Sequence, residues 1–255
     1  MKPHYHRPVD ALDGYVRTVL HVEDITPADT LPILPQGTAA LVCLFEKERG
    51  AGASLFLFTR SIHSEALRVY SDFFLIAYFF HPFVTGPIFG IPAKNSADHP
   101  TDLRLWNEKI AGDLLKKLKD AGSLTERSTL LDTFLQQQIL KNQTACEIIR
   151  LATDRIVYDP AIDVLPTFLS DLQTSERTLQ RVFKKYVGCS PGQFRRLCQF
   201  YAAFHQLRSR EFGNLSEVAY DQGYADQSHF IRSFREFSRK NPGDYMRSGL
   251  SDRTE

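Results

Sequence analysis

The chain is short of the residues that most chemistries need. Its 255 residues hold four cysteines, two methionines and one tryptophan. Cys43, Cys146, Cys189 and Cys198 show no C-x-x-C spacing, which speaks against a zinc ribbon or a dithiol redox centre and suits small buried thiols in a reducing compartment. No G-x-x-x-x-G-K-[ST] loop, no G-x-G-x-x-G opening a helix and no G-x-S-x-G elbow occurs, and Gly50-Ala51-Gly52 is too short to cradle a phosphate. With no matched acid, base and nucleophile, the chain is expected not to be an enzyme. The start, MKPHYHRPVD, lacks the apolar stretch of a signal peptide. Residues 73–93 carry no charge, but His81, Pro82, Gly86, Pro87, Gly90 and Pro92 interrupt them, so two buried strands around a Pro/Gly turn are expected rather than a spanning helix. Histidines are present (His4, His6, His21, His63, His81 and His99) but at no ligand spacing, and neither metal nor cofactor is expected.

Net charge is also nearly absent, at +1, although it is unevenly placed. Residues 160–255 hold 14 Lys and Arg against 11 Asp and Glu, whereas residues 1–159 hold 17 against 19. Much of the C-terminal excess falls within one pattern.

Residues 215–245 read as a short helix, a glycine turn and a second helix. Asn214 with Glu217 is a capping box, Gly223 suits the left-handed residue that ends a helix, and Asp226 can cap the next one. Phe230, Phe234 and Phe237 then share one face, while Gln227, Ser228, His229, Arg232 and Arg235 occupy the other. This is the form of a helix–turn–helix. A shift of 51 residues superposes a second copy, placing Leu179 on Phe230, Arg181 on Arg232, Phe183 on Phe234, Tyr186 on Phe237 and Pro191 on Pro242. Both copies end in a proline-initiated helix, Ser190-Pro191-Gly192-Gln193 and Asn241-Pro242-Gly243-Asp244.

Earlier in the chain, 15–22, 39–45 and 54–58 read as strands punctuated by Pro32, Pro35, Gly37, Gly50 and Gly52. The period then lengthens. Trp106, Ile110, Leu114, Leu118 and Ala121 mark a helix closed by Gly122, and Ser123 with Glu126 opens another bearing Leu131, Phe134, Leu135 and Ile139. The fold class is α+β: a β-rich N-terminal domain over 1–105, a helical connector over 106–143 and an all-α domain over 144–250 with two helix–turn–helix subdomains.

The run Gly223-Tyr224-Ala225-Asp226-Gln227-Ser228-His229-Phe230-Ile231-Arg232, with the two proline-initiated helices, resembles the DNA-binding domain of AraC/XylS-type transcription regulators. The resemblance covers about 145–250. Leu34-Pro35-Gln36-Gly37, Tyr78-Phe79-Phe80-His81-Pro82 and Phe89-Gly90-Ile91-Pro92 are similar to the β-rich domain that precedes it in many bacterial regulators. The resemblance implies a cytoplasmic, sequence-specific regulator, an activator, with a long helix from Pro191 joining the two subdomains. About twenty residues at 1.5 Å each give roughly 30 Å, near the ~34 Å between successive major-groove faces. By motif position, Arg177, Gln180, Arg181, Gln227, Ser228, His229 and Arg232 are expected to meet bases, and Lys184, Lys185, Arg235 and Arg239 phosphates. Expected partners are double-stranded DNA, RNA polymerase, a small-molecule effector at the N-terminal domain and a second copy of the chain, but no membrane. A ligand-independent protein whose N-terminal domain only dimerises stays open. Two departures from the family pattern concern the first subdomain and the long helix: Phe168-Leu169 where an alanine is usual, with Pro166 in the same helix, and Gln199 where an arginine is usual.

Overall fold

The computed structural model describes residues 2–25, 30–31, 39–46, 52–59, 67–68, 73–96, 99–161, 169–171, 174–209 and 212–248. The Leu34-Pro35-Gln36-Gly37 motif, Pro32, Gly50, His63, Pro166 and Phe168 lie outside them. The chain divides into two compact units, Met1–Arg150 with Lys185–Gly188, and Leu151–Lys184 with Cys189–Glu255.

The first unit is built on an antiparallel sheet. Its strands are β1 (Lys2–His6), β2 (Val16–Ile25), β4 (Ala40–Glu46), β5 (Ala53–Phe58), β7 (Phe73–Phe80) and β8 (Thr101–Asp102), in the order β1-β2-β7-β4-β5-β8. Two short strands, β3 (Thr30–Leu31) and β6 (Leu67–Arg68), pair separately. The continuous apolar runs ALVCLF and LIAYFF are the central strands β4 and β7, which are buried on both faces. Leu41, Cys43, Phe45, Ile76, Tyr78 and Phe80 point into one cluster, and Ala40, Val42, Leu44, Leu75, Ala77 and Phe79 into another.

The first cluster is roofed by helices α1 (Thr85–Phe89), α3 (Glu108–Asp120) and α4 (Leu124–Lys141), with α2 (Leu103–Trp106) beside α3. Asn107 caps α3 through the Ile110 N–H, and Ser123 caps α4 through the Glu126 N–H. The Glu126 carboxylate reaches back to the Gly122 N–H, one residue before the cap. Tyr78 Oη donates to Asp132 Oδ1 at 2.8 Å and so ties the sheet to α4.

Two expectations are corrected. The helix read from Trp106 is broken, because Trp106 ends α2 and the extended Asn107 caps a separate α3. Only the first half of 73–93 is a strand; the second half forms α1. Strand β7 already has β2 and β4 as neighbours, so the chain must leave the sheet after Phe80. Phe83 turns it with φ of 66°, Pro87 falls in the first helical turn where its missing N–H costs no bond, and Gly90 at φ 68° ends the helix. Among the described residues no helix is long and apolar enough to cross a membrane.

The second unit is helical. After α5 (Gln143–Tyr158), which begins in the first unit, come a helical stretch over 169–171 and then α6 (Glu176–Tyr186), α7 (Pro191–Ser209), α8 (Leu215–Asp221), α9 (Gln227–Ser238) and α10 (Pro242–Ser248). Phe200, Ala203 and Leu207 of α7 bury against Val218, Ala219, Tyr224, Phe230 and Phe234.

Candidate nucleic-acid interface

The second helix–turn–helix is α8, the Gly223 turn and α9. Asn214 Oδ1 accepts from the N–H groups of Ser216 and Glu217, and the Glu217 carboxylate accepts from the Gly213 N–H. At the other end Gly223 N–H meets Tyr220 O and Tyr224 N–H meets Ala219 O, the paired bonds of a Schellman turn, with Gly223 at φ 69°. Asp226 then caps α9 through the His229 N–H at 2.7 Å. The buried face of α9 is Phe230, Ser233 and Phe234, and Phe234 lies 5.2 Å from Phe200 and 5.9 Å from Tyr245 between ring centroids.

The first copy repeats much of this geometry. Ser175 Oγ accepts from the Thr178 N–H, the same bond displaced by 51 residues, and α6 buries Leu179, Val182 and Phe183. Phe183 packs on Phe194 of α7 at 5.6 Å. The turn differs. Thr174 N–H bonds Leu169 O, so Leu169 takes the place of Ala219 with one residue fewer before the cap. At the closing helices the copies differ again. Ser190 and Gln193 form a reciprocal box, each side chain accepting from the other's N–H, whereas Asn241 donates its side-chain amide to the Asp244 carboxylate.

The opposite faces of α6 and α9 are open. Arg177, Arg181, Lys184 and Lys185 are exposed on the first, with Gln180 half-buried; Gln227, Ser228, Arg232 and Arg235 are exposed on the second. Arg177, Arg181, Arg232 and Arg235 have no ion-pair partner among the described residues, so a salt bridge does not account for Arg181 and Arg232. Lys185 Nζ lies over the Tyr186 ring at 4.7 Å. Arg239 stands past the end of α9 in left-handed conformation, φ 62°. Gln227 Oε1 accepts from Ser216 Oγ at 3.0 Å, which leaves its amide as a donor. His229 Nδ1 accepts from the Ala225 N–H at 3.4 Å, which leaves the ring N–H donor on Nε2.

Gln199 is not on this surface. It is buried, and its amide donates to Gln222 O at 3.0 Å and Gly223 O at 3.3 Å. Its neighbour one turn back, Arg195, donates to Pro160 O at 2.9 Å and Ala161 O at 2.8 Å. Arg195 has no counterpart in the motif-based reading, although the polar pair Arg195 and Gln199 at i, i+4 in a helix rich in aromatic residues was a visible signal.

His6 and His21 come together on β1 and β2 with Nε2 atoms 3.2 Å apart, and burial followed by the two neighbouring histidines pushes His21 down to about 4. Among the described residues no group of three metal-ligating side chains forms. Burial raises all four thiols, Cys146 to about 12 and Cys198 to about 11, the reverse of an activated nucleophile.

A helix–turn–helix domain model matches residues 169–248. A curated HTH-type transcriptional regulator of Haemophilus influenzae is 28% identical over 81 residues; the match takes in 31% of this chain and only 27% of that relative. Among solved structures, a DNA-binding transcriptional dual regulator of Escherichia coli K-12 is similar over 38% of this chain and 96% of its own (22% identity, TM-score 0.34). ToxT of Vibrio cholerae is similar over 96% and 98% (11% identity, TM-score 0.38), and its unsaturated fatty acid-bound form over 89% and 94% (15%, 0.36). The duplicated caps, the glycine turn and the matched span agree: the C-terminal third of this chain carries a helix–turn–helix domain.

Proposed function

We propose that the protein is a sequence-specific, DNA-binding transcription regulator whose two helix–turn–helix units read successive major-groove turns. The observation that carries this is the pair of capped helices, α6 and α9, each with one face in the core and, at the equivalent position of the other, an exposed arginine with no ion-pair partner among the described residues, Arg181 and Arg232. Helix α7, 19 residues long, spans about 28 Å at 1.5 Å per residue, the scale of one DNA turn.

Arg177, Gln180, Arg181, Gln227, Ser228, His229 and Arg232 take the base edges, and Lys184, Lys185, Arg235 and Arg239 the phosphates. Arginine can bridge guanine O6 and N7. Gln227, whose carbonyl already accepts from Ser216, keeps both amide N–H groups to offer a base acceptor such as guanine N7 or O6. Residues 1–105 act as a sensing or assembly domain joined through the connector at 106–143, and a signal there changes dimerisation, polymerase contact or promoter occupancy.

Selection of duplexes from a random-sequence pool tests the reading, and recovery of a bipartite site is the expected result. Lys185→Ala is then expected to weaken all duplexes alike and to flatten the salt dependence by about one unit. A pool that yields no preferred sequence overturns the assignment.

A further inference from the structure

Helix α7 holds two chain segments against each other. Arg195 grips the carbonyls of Pro160 and Ala161, the segment leading into the first helix–turn–helix. One turn on, Gln199 grips the carbonyls of Gln222 and Gly223, the turn of the second. Between these two grips the segments touch backbone to backbone: a Cβ placed on Gly223 would stand 2.5 Å from Ala161 O, 2.7 Å from its Cα and 2.9 Å from its carbonyl carbon. Gly223 therefore meets two demands at once, a left-handed backbone and an approach that no side chain permits.

The Gly223 turn is also what aims α9, because only Ala225 separates the paired bonds donated by Gly223 and Tyr224 from the Asp226 cap. Whatever holds that turn holds the angle of the second reading helix. We infer that Arg195 and Gln199 are positioning residues: they lock the Pro160–Ala161 backbone onto the Gly223 turn and so set the spacing at which the two halves of a DNA site can be read together. The inference rests on the two-groove reading above. It assigns to a buried latch a spacing control that length along α7 alone would leave loose, since a helix fixes the distance between its ends but not the tilt of what is packed on it.

The test compares Gln199→Leu, which keeps the volume and removes both donors, with Gln199→Arg, which restores donors to the same carbonyls. Each full-length chain is titrated with the duplex that the wild type selects from a random pool, and with that duplex carrying one base pair inserted between its halves. The wild type is expected to lose at least about tenfold in affinity on insertion, Gln199→Leu no more than about threefold, and Gln199→Arg to recover most of the penalty; at 1.4 kcal/mol per factor of ten these are separable differences. A variant that merely loosens the fold lowers affinity for both duplexes by one factor, and that outcome overturns the proposal. Amide exchange provides a readout that needs no DNA. In Gln199→Leu the amides of 159–161 and of 222–224 should exchange faster together. Faster exchange at 222–224 alone would show the two segments uncoupled and remove the latch. If the wild type selects no duplex, the two-groove reading falls, and the exchange result alone decides the latch.

Discussion

The two helix–turn–helix copies share a plan and differ in how they are fastened. In the second copy the helix ends are closed by local bonds: Asn214 starts the first helix, Gly223 ends it with both carbonyl bonds made, Asp226 starts the next, and an aromatic cluster of Phe200, Phe230, Phe234 and Tyr245 lies beneath. The first copy has an equivalent cap at Ser175 and a more complete box at Ser190–Gln193, but a shorter turn in which Leu169 supplies the carbonyl that Ala219 supplies later. Duplicated sequence thus preserves the second helix of each unit and its cap more faithfully than the turn that aims it. The turn answers to its neighbours as well as to its own residues.

Four measurements can break or sharpen this contrast. The largest effect is expected in the aromatic layer. Phe234→Ala, at a site with three ring neighbours, should cost about 4–5 kcal/mol and Phe183→Ala about 3 kcal/mol in urea denaturation; equal costs would show the two cores to be packed alike. Gly223→Ala comes next, at about 3 kcal/mol, because roughly 1–2 kcal/mol of left-handed strain adds to the contact with Ala161. A loss within 1 kcal/mol would mean that the turn yields freely.

Third is the reading itself. Arg232→Ala should weaken the selected duplex by about 1–3 kcal/mol and relax one base position, and Arg181→Ala should do the same in the other half-site. If only Arg181→Ala changes base preference, the better-fastened copy is not the one that specifies. The smallest effects are the caps. Asp226→Ala and Ser175→Ala should each lower stability by about 1 kcal/mol, with the aspartate the larger because its charge also meets the helix N-terminus; reversal of that order in thermal melts would break the equivalence drawn between them.

Much of this was legible in the residues. Caps and glycine ends are local bonds between groups one to five residues apart, so Asn214, Gly223, Asp226, Ser123 and Ser190 announce themselves. Strands β4 and β7 were legible because burial on both faces leaves an unbroken apolar run. Residues 83–93 were not, since a Pro- and Gly-rich stretch reads the same whether the chain turns into a strand or a short helix. The choice fell to β7 having both edges already occupied. In the sequence Gln199 stands out only as a departure from the arginine usual at that position. In the structure it is a buried donor to two turn carbonyls, a role set by residues 23 and 24 positions away.

The sequence by itself therefore determined the caps of the C-terminal helices, the duplicated helix–turn–helix pattern and which arginines stand on its open faces, because periodicity, capping and repeat are encoded over short spans. Only the tertiary structure decided which polar groups of α7 turn inward and which backbone Gly223 must admit. Those outcomes depend on carbonyls brought together from distant parts of the chain, and no local pattern records where they will meet.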